Sequence, residues 1–570
     1  MLGKPANTDV RPNALNVAGV SIHPTGFWHG LVWIAAGIHC MMTAALSLTR
    51  LYTNKASLLD LGVFDQALWT TLTYGTPTTT INYPHELHNW FGFHFSPIVL
   101  FMVPVYALAA RPELLVIVQS ILIAVTAVPI FWTCCRLSGL PRHAFFWSVV
   151  YLLNPFLLNG AAWDFHEKSF ALPAFALAYF GLVARRRPIF ILAMVWLLLC
   201  QEHYGLAVLG FGILWMHLHA EKKMGLLVGC AGLVTTIFVV FFAMPLLNPA
   251  GTHPMIGDGN PALARYAWLS EPPAQLIDTA LRLMPGGLLY VLLLLLPSGS
   301  ASIMAPMFLI PGMADFGANF LSLNPMPRTV FSYHSMVLVL VLVMAAARGT
   351  VVMPFSSAAS PRIASILTLV LGYLFMPAPV PLAQNVWQIQ SVHLSRDAAI
   401  EEIQAFIRPE MRVSAQSNIG SFFSQRRFIY PFPARLNEAD AVILHFEYPY
   451  ADFGYAPYAN PYPTETMRQV LQRMEDVVSS RDFGILFWER NWLLAIRGAK
   501  DRVSRDAVRR RVTEFLAEYD IRLHNALAPR NRVAPHHKST SPPYLAQPQT
   551  RLGKAPAGME GIMETRTRSY

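Results

Sequence analysis

Carboxylates, imidazoles and amides form clusters beside the apolar runs of this chain of 570 residues. A carboxylate near lipid can act as a general base, and carboxylates with imidazoles can hold a metal ion. Ionisable groups at membrane depth are costly, so they usually mark functional sites. We therefore expect one active site that gathers these clusters. They are Asp60–Gln66, His94–Pro97, Asp164–His166, Gln201–His203 and Tyr333 with His334.

Asp60 and Asp65 lie five residues apart in one loop, and Gln66 follows directly. A general base needs a pKa near the working pH, and partial desolvation beside lipid raises the pKa of a carboxylate. Either aspartate is therefore a candidate catalytic base, and Gln66 is a candidate substrate ligand. Helix capping in a solvated loop is the alternative explanation for the two aspartates.

Histidines accompany the carboxylates of the later clusters. Asp164 and His166 begin a predicted span and are candidate substrate ligands, as is His94. Glu202 and His203 occupy the tip of a helical hairpin, where a buried carboxylate needs a partner or a proton. A divalent cation, Mg²⁺ or Mn²⁺, is one candidate partner. Ion pairing in the core and, for His94, packing at the interface are the alternatives.

Basic side chains near the clusters are candidate phosphate ligands. Lys55 precedes the acidic loop, and Arg328 lies six residues before His334. Guanidinium and ammonium groups form charge-assisted hydrogen bonds with phosphate oxygens. The sequence therefore indicates Lys55, Arg328 and His334 as ligands of a phosphate. An interfacial arginine that extends its charged end towards water is the alternative explanation for Arg328.

The composition excludes a soluble globular protein. Hydrophobic residues make up 54% of the chain, charged residues 13%, and the mean hydropathy is +0.39, whereas soluble domains carry about 25% charged residues. The net charge of +10 does not indicate nucleic-acid binding, because the basic residues flank apolar runs and fill the C-terminal tail. The cysteines lie within or at the ends of apolar stretches, so the sequence predicts neither a disulfide framework nor a CxxC metal site.

The apolar runs predict about eleven transmembrane helices, since a span needs about 20 apolar residues. The first run is too long for the core of a signal peptide. The run 97–109 instead predicts an amphipathic or re-entrant helix on the outer surface. The predicted spans are 27–49, 113–134, 143–160, 169–184, 188–203, 204–219, 224–244, 284–298, 301–318, 333–347 and 363–378.

Basic residues give the orientation of these spans. Lys4 and Arg11 precede the first span, and the triple arginine Arg185–Arg187 fills a later loop. Short loops rich in Lys and Arg remain in the cytoplasm. The N-terminal segment 1–26 is therefore predicted to be cytoplasmic. The long loop 50–112, all the polar clusters and the C-terminal part are predicted to lie outside.

Residues 385–500 predict a small extracytoplasmic α/β domain, because short apolar runs alternate with helical patterns. The basic tail 501–570 is expected to be largely disordered. The predicted fold class is thus an all-α polytopic membrane domain (27–380) followed by this small domain. Its strands are expected at 412–415, 441–444, 483–487 and 492–496, and its helices near 396–407 and 464–480.

Several motifs resemble those of an uncharacterised bacterial membrane family, DUF2079, over about residues 50–500. The most specific motif is Leu59–Trp69, LDLGVFDQALW. The others are His94–Pro97, Asn154 with Pro155, Asp164–His166, the Glu202 position and the run Gln425–Pro433. That family is similar to the C-type (GT-C) glycosyltransferases, which are multi-span enzymes. They take sugars from polyprenyl-phosphate carriers and use an acidic residue in the first outer loop.

The resemblance implies a glycosyltransferase in the bacterial cytoplasmic membrane, with a polyprenyl-phosphate-linked sugar as donor and Asp65 or Asp60 as catalytic carboxylate. The acidic pair of the superfamily is adjacent or one residue apart, unlike the pair here. Two other functions stay open. One is a transporter or lipid-handling protein that uses Glu202 and His203 to couple protons or ions. The other is an envelope assembly protein that presents the outer domain to partners.

Overall fold

The computed structural model of the chain is mostly helical, with a small sheet near the C-terminus. Most of the predicted N-terminal segment (1–26), of the predicted span 363–378 and of the tail 501–570 lies outside the described residues. The structure describes residues 26–82, 85–254, 265–298, 300–353, 362–363, 366–367, 369–370, 392–446 and 464–527.

The first helix leads into a long, largely irregular loop. A helix begins at Pro97, as predicted, since proline suits the first position of a helix. It is short, and its first part is a 3₁₀-helix (Pro97–Met102). The elements of this region are α1 (Gly26–Tyr52), a π-helical turn (Leu58–Gly62), α2 (Val63–Tyr74), β1 (Thr78–Thr79), β2 (His88–Asn89) and α3 (Val103–Tyr106).

The rest of the membrane domain is built from helices of unequal length. The predicted span 301–318 is not one helix, because two 3₁₀ segments precede its last part. The helices are α4 (Pro112–Val125), α5 (Ala127–Ser138), α6 (Pro141–Leu152), α7 (Pro155–Ala161), α8 (Lys168–Val183), α9 (Arg187–Cys200), α10 (Tyr204–Leu218), α11 (Lys222–Phe238), α12 (Met244–Leu247), α13 (Pro273–Ser298), α14 (Met313–Leu321) and α15 (Met336–Val352).

In the described part of the chain, five helical segments are long and apolar enough to cross a membrane. Helices α6 and α7 would make a sixth span that bends by 54°. Helices α8, α9 and α10 match predicted spans but have only 16, 14 and 15 residues, and a hydrocarbon core about 30 Å thick needs about 20. The prediction of a helical membrane protein is confirmed, whereas the count of about eleven spans is not. The five segments are Gly26–Tyr52, Pro112–Ser138, Lys222–Leu247, Pro273–Pro297 and Tyr333–Val352.

The helix connections separate the polar clusters from the basic loops. Helix α8 begins at Lys168, beside the cluster Asp164–His166, and ends before the triple arginine, from which α9 runs back towards Glu202. Loops at the basic end contact each other, as in the ion pair between Arg187 and Glu221. The polar clusters therefore lie at one end of these helices and the basic loops at the other.

Glycines allow α10 and α11 to pack closely beside Glu202. A Cβ atom on Gly205 would lie 2.2 Å from Thr236 Oγ1 and 2.3 Å from the carbonyl oxygen of Gly232. Small residues let membrane helices approach each other in this way. Thr236 Oγ1 also donates a hydrogen bond to the carbonyl oxygen of Glu202 at 3.3 Å. The contact between the two helices thus helps to position the turn that carries Glu202.

The small C-terminal domain contains the predicted strands. In the described residues the sheet has the order β4-β3-β5-β7-β6, with β3 parallel to β4 and β5 and the other pairs antiparallel. Strand β4 and the last helix were not predicted. The strands are β3 (Val413–Ala415), β4 (Ile429–Pro431), β5 (Ala441–His445), β6 (Phe483–Glu489) and β7 (Trp492–Arg497). The helices are α16 (Ala398–Phe406), α17 (Ser417–Gly420), α18 (Thr464–Ser479) and α19 (Arg505–Leu527).

Buried hydrogen bonds join the long loop to this small domain. Gln66 Nε2 donates to the carbonyl oxygens of Arg426 and Arg427 at 3.1 and 3.2 Å. Thr80 Oγ1 donates to the carbonyl oxygen of Ile429 at 2.6 Å. Buried backbone carbonyls need such partners. Gln66, a predicted substrate ligand, is fully buried at this contact and connects α2 to the small domain.

We expect Gly205→Ala to destabilise the protein by about 1–3 kcal/mol, because the added methyl group forces α10 and α11 apart. Gly30→Ala is the matched control, since no atom lies within 4 Å of a Cβ at that position of α1. Thermal unfolding in detergent measures both effects. Equal midpoints for the two variants would contradict the close packing of α10 and α11.

Candidate active site

A buried ion pair holds the end of α1 against the segment before α8. Arg50 Nε donates to Asp164 Oδ1 at 2.8 Å, and both side chains are only 2% exposed. Asp164 Oδ2 accepts from the backbone N–H of Ser57 at 2.6 Å. The Arg50 guanidinium also lies 4.1 Å from the centre of the Trp163 ring. Because a buried charge without a partner is costly, this pair fixes the start of the long loop.

Asp60 lies beside this pair, in the π-helical turn. His166 Nε2 is 3.5 Å from Asp60 Oδ1, and the Trp163 indole N–H donates to Oδ2 at 3.3 Å. The Tyr333 ring stacks on His166, with ring planes 21° apart. The structure thus brings together Asp60, His166 and Tyr333 from three remote segments of the chain.

The Asp60 carboxylate combines accessibility with negative charge. Its side chain is 32% exposed. Burial alone would raise the pKa of Asp60. Three neighbours lower it by more: His166 through its hydrogen bond and charge, Trp163 through its N–H, and Arg50 through its charge. The net pKa is below the ordinary value, so Asp60 is ionised at neutral pH. Its lowered pKa makes Asp60 a weaker base than Asp65, whose pKa is raised to about 6. Asp60 is the candidate base because a bound group can reach its carboxylate, whereas Asp65 is fully buried.

His94 and Glu202 form a second pair at this end of the helices. His94 Nδ1 is 3.5 Å from Glu202 Oε1, and the backbone N–H of Phe95 donates to Oε2 at 3.2 Å. Burial lowers the pKa of His94, but the hydrogen bond and the charge of Glu202 outweigh it and the net shift is upward. Each group therefore stabilises the charged form of the other.

His203 faces a different carboxylate, that of Asp315. Lys168 Nζ donates to Asp315 Oδ1 at 2.8 Å, and His203 Nε2 is 3.4 Å from the same oxygen. Glu202 and His203, which are neighbours in sequence, therefore have different partners. Among the described residues, no group of three or more His, Cys, Asp and Glu is arranged to hold a metal ion. The divalent cation stays a prediction, and no step proposed below uses it.

The hydrogen-bond partners of Asp65 differ from those of Asp60. It is fully buried, and its two oxygens accept hydrogen bonds from the Tyr106 hydroxyl and from Ser424 Oγ, both at 2.6 Å. Burial raises the pKa of Asp65 to about 6, although these hydrogen bonds lower it. Ser424 belongs to the small domain, so Asp65 links that domain to the long loop.

The three predicted phosphate ligands lie in different surroundings. Lys55 follows α1, and its backbone N–H donates to the carbonyl oxygen of Arg50 at 2.9 Å. His334 adjoins Tyr333, with ring centres 4.2 Å apart. Arg328 donates to carbonyl oxygens at the end of α14 at 2.5–3.2 Å. Lys55 and His334 therefore border the Asp60 group, whereas Arg328 caps a helix.

The sequence analysis missed Arg50, Trp163, Lys168 and Asp315. A signal for three of them was present, because a charged residue at or inside an apolar run needs a partner. Arg50 ends the first run, Lys168 follows the cluster at Asp164, and Asp315 lies inside a predicted span. Trp163 gave no signal, since an interfacial tryptophan is common in membrane proteins.

All the residues of the candidate site described above lie within the match to one protein-family model. The model of the family described as "Predicted membrane protein (DUF2079)" matches residues 50–493. The chain belongs to this family. The match begins at Arg50 and includes most of the small domain, so the DUF2079 resemblance of the sequence motifs is confirmed. The comparison with curated proteins gave no match.

We expect Asp65→Asn to change how stability depends on pH. Because the pKa of Asp65 is raised to about 6, the folded protein keeps a proton that the unfolded chain releases between about pH 4 and 6. The wild-type protein thus loses up to about 3 kcal/mol as pH rises through this window. The variant has no carboxyl group to titrate at this position, so it does not lose this stability. Its amide oxygen can still accept the hydrogen bond from the Tyr106 hydroxyl. The unfolding midpoint of the variant, relative to that of the wild type, should therefore rise between pH 4 and 7.

Thermal unfolding of both proteins in detergent, at steps across this pH range, measures the difference. The difference should become constant above about pH 7, where Asp65 is ionised in both states. A difference that stays constant across the whole range would contradict the raised pKa of Asp65.

Proposed function

We propose that this protein is a membrane glycosyltransferase of the GT-C type. It transfers a sugar from a polyprenyl-phosphate carrier to an acceptor on the outer side of the bacterial cytoplasmic membrane. The observation that carries the proposal is the accessible, ionised Asp60 carboxylate, held by His166 in the loop after the first span. The position of an acidic residue in this loop is the feature shared with the GT-C enzymes. Asp65, which is fully buried, has a structural role.

In the proposed reaction Asp60 acts as the general base. It takes the proton of an acceptor hydroxyl while that oxygen attacks the anomeric carbon of the donor sugar. The new carbon–oxygen bond forms as the bond from that carbon to the phosphate oxygen breaks. The bonding electron pair leaves with the polyprenyl phosphate. A single displacement of this kind inverts the anomeric configuration.

Fixed positive charges stabilise the leaving phosphate. Lys168 and the His94 imidazole supply positive charge at the same end of the helices. His334, beside Tyr333, can add a hydrogen bond to a phosphate oxygen. Lys55 completes this set at the start of the long loop. Their carboxylate partners hold Lys168 and His94 in place, so little reorganisation accompanies the arrival of the phosphate charge.

The orientation in the membrane is part of the proposal. The basic loops lie in the cytoplasm, and the polar end with the small domain lies outside. The short helices α8, α9 and α10 also cross the hydrocarbon layer. They bring Lys168 below the level of the lipid headgroups, where its ammonium group can meet a polyprenyl phosphate that arrives from the bilayer.

Proton-coupled transport is the second candidate, and buried ion pairs favour it. Lys168 and His203 both contact Asp315 Oδ1. Glu202, which precedes His203 in sequence, pairs with His94. Such chains of ionisable groups carry protons in transporters. Flux measurements in vesicles with an imposed proton gradient test this candidate. Asp315→Asn should abolish uptake if the protein is a transporter.

We expect Asp60→Asn to lower sugar transfer by about 10²–10⁴-fold, the usual contribution of a general base. Asp278→Asn is the matched control, since that aspartate is 57% exposed on α13. Transfer of radiolabelled sugar from polyprenyl-phosphate donors into the glycans of isolated membranes measures both variants. Full transfer by the Asp60→Asn protein, at normal abundance in the membrane, would contradict the proposed role of Asp60.

A further inference from the structure

One apolar segment of the long loop, residues 97–108, takes part neither in the ion pairs nor in the proposed reaction. It begins with the 3₁₀-helix at Pro97, continues through α3 and includes no charged side chain. Its helical part is Pro97–Tyr106. At about 1.5–2 Å per residue this part is about 15–20 Å long, whereas the hydrocarbon core is about 30 Å thick. The segment is therefore too short to cross a membrane.

Two faces of this segment have different surroundings. Met102 and Tyr106, four residues apart, are buried against the protein. The second face is equally apolar but open, since Phe101 is 68% exposed, Val105 46% and Leu108 87%. Their spacing of three and four residues places these three side chains on one side of a helix. An exposed apolar surface of this kind marks a site of interaction.

The long loop reaches this segment from the end of a candidate span. A Cβ atom on Gly92 would lie 2.5 Å from the carbonyl oxygen of Leu247, the last residue of the span Lys222–Leu247. Asn248 Nδ2 also donates to the carbonyl oxygen of Gly92 at 3.1 Å. The loop therefore passes the end of this span five residues before the segment begins.

The segment itself contacts another apolar helix. Its 3₁₀-helix packs against α9, whose Leu192 and Val195 are exposed. Phe242 and Leu246 are exposed in the same way on the span that Gly92 contacts. A helix that crosses a membrane presents such side chains to lipid. The open face of the segment thus adjoins helices whose own exposed surface suits lipid.

Hydrogen bonds connect the segment to the acidic loop and to the small domain. The Tyr106 hydroxyl donates to Asp65 at 2.6 Å. Gln425 Nε2 of the small domain donates to the carbonyl oxygen of Ala110, just beyond the segment, at 2.6 Å. The position of the segment therefore affects the position of α2 and of the turn that carries Asp60.

We propose that the segment 97–108 inserts into the outer leaflet of the bilayer, where Phe101, Val105 and Leu108 contact the acyl chains. The partner is the hydrocarbon of the lipid, because these three side chains carry no polar group. The exposed Arg111, which follows the segment, extends to the level of the headgroups. The insertion fixes the depth at which the Asp60 loop lies. It does not depend on the proposed transfer, and only the choice of leaflet rests on the proposed orientation.

Nitroxide spin labels test the contact with lipid, on the full chain in nanodiscs of phosphatidylethanolamine and phosphatidylglycerol. The native cysteines are replaced by alanine, and one label is attached to Phe101→Cys, Val105→Cys or Leu108→Cys. Molecular oxygen concentrates among acyl chains, whereas a charged nickel chelate stays in water. The ratio of the two accessibilities therefore reports whether a label lies in lipid.

We expect a severalfold higher ratio of oxygen to nickel accessibility at these three positions than at Arg473→Cys. Arg473 is the control for water, because it is exposed on α18 of the small domain. Phe241→Cys is the reference for lipid, since Phe241 is exposed on a candidate span, and its ratio should match that of the segment. A ratio equal to that of Arg473→Cys at all three positions would overturn the insertion.

Photo-crosslinking identifies the occupant in native membranes without replacement of the cysteines. Benzoylphenylalanine in place of Phe101 reacts with nearby C–H bonds on irradiation, and mass spectrometry identifies the adduct. We expect adducts with phospholipid acyl chains. Adducts with a second copy of the chain or with another protein, in place of lipid, would overturn the proposal.

The insertion and the proposed function fail separately. Labels with the ratio of water would remove the insertion alone, if Asp60→Asn still loses sugar transfer. Full transfer by Asp60→Asn would remove the proposed function alone, if the labels keep the ratio of lipid.

Discussion

A carboxylate beside an apolar helix has to meet a partner before it can be buried. Asp164 meets Arg50 across 114 positions of sequence, and Asp315 meets Lys168 across 147. Each pair therefore connects segments that are remote along the chain. Removal of one partner would leave a buried charge, which costs about 3–5 kcal/mol. This constraint fixes which helix ends lie together, and it gathers the ionisable groups of the candidate site.

The position of Asp60 depends on two sets of contacts. Asp164 holds the backbone of Ser57 on the side of the membrane helices. On the other side Gln66 and Asp65 bind the small domain through hydrogen bonds that are shielded from water. The π-helical turn between these anchors presents the Asp60 carboxylate to His166. The small domain is thus a structural part of the site, and its loss would release the loop that carries the proposed base.

The sequence predicted the helical membrane domain and four strands of the small domain, because hydropathy and short apolar runs are local signals. The motif around Asp60 identified the family correctly. The partners of the clusters were not predictable, since Arg50 and Lys168 are paired by tertiary packing over long sequence distances. The different environments of Asp60 and Asp65 also depend on that packing. Spacing alone gave no reason to separate an accessible carboxylate from a buried one.

The central claim is that Asp60 and His166 meet at one end of the helices. Crosslinking in native membranes tests it, with Asp60→Cys and His166→Cys introduced into a chain whose own cysteines are replaced. A thiol crosslinker about 5 Å long should join this pair, because the two side chains contact each other. Asp60→Cys with Arg187→Cys, at the opposite end of the helices, should remain unlinked. Equal crosslinking of both pairs, or none at residues 60 and 166, would contradict the account.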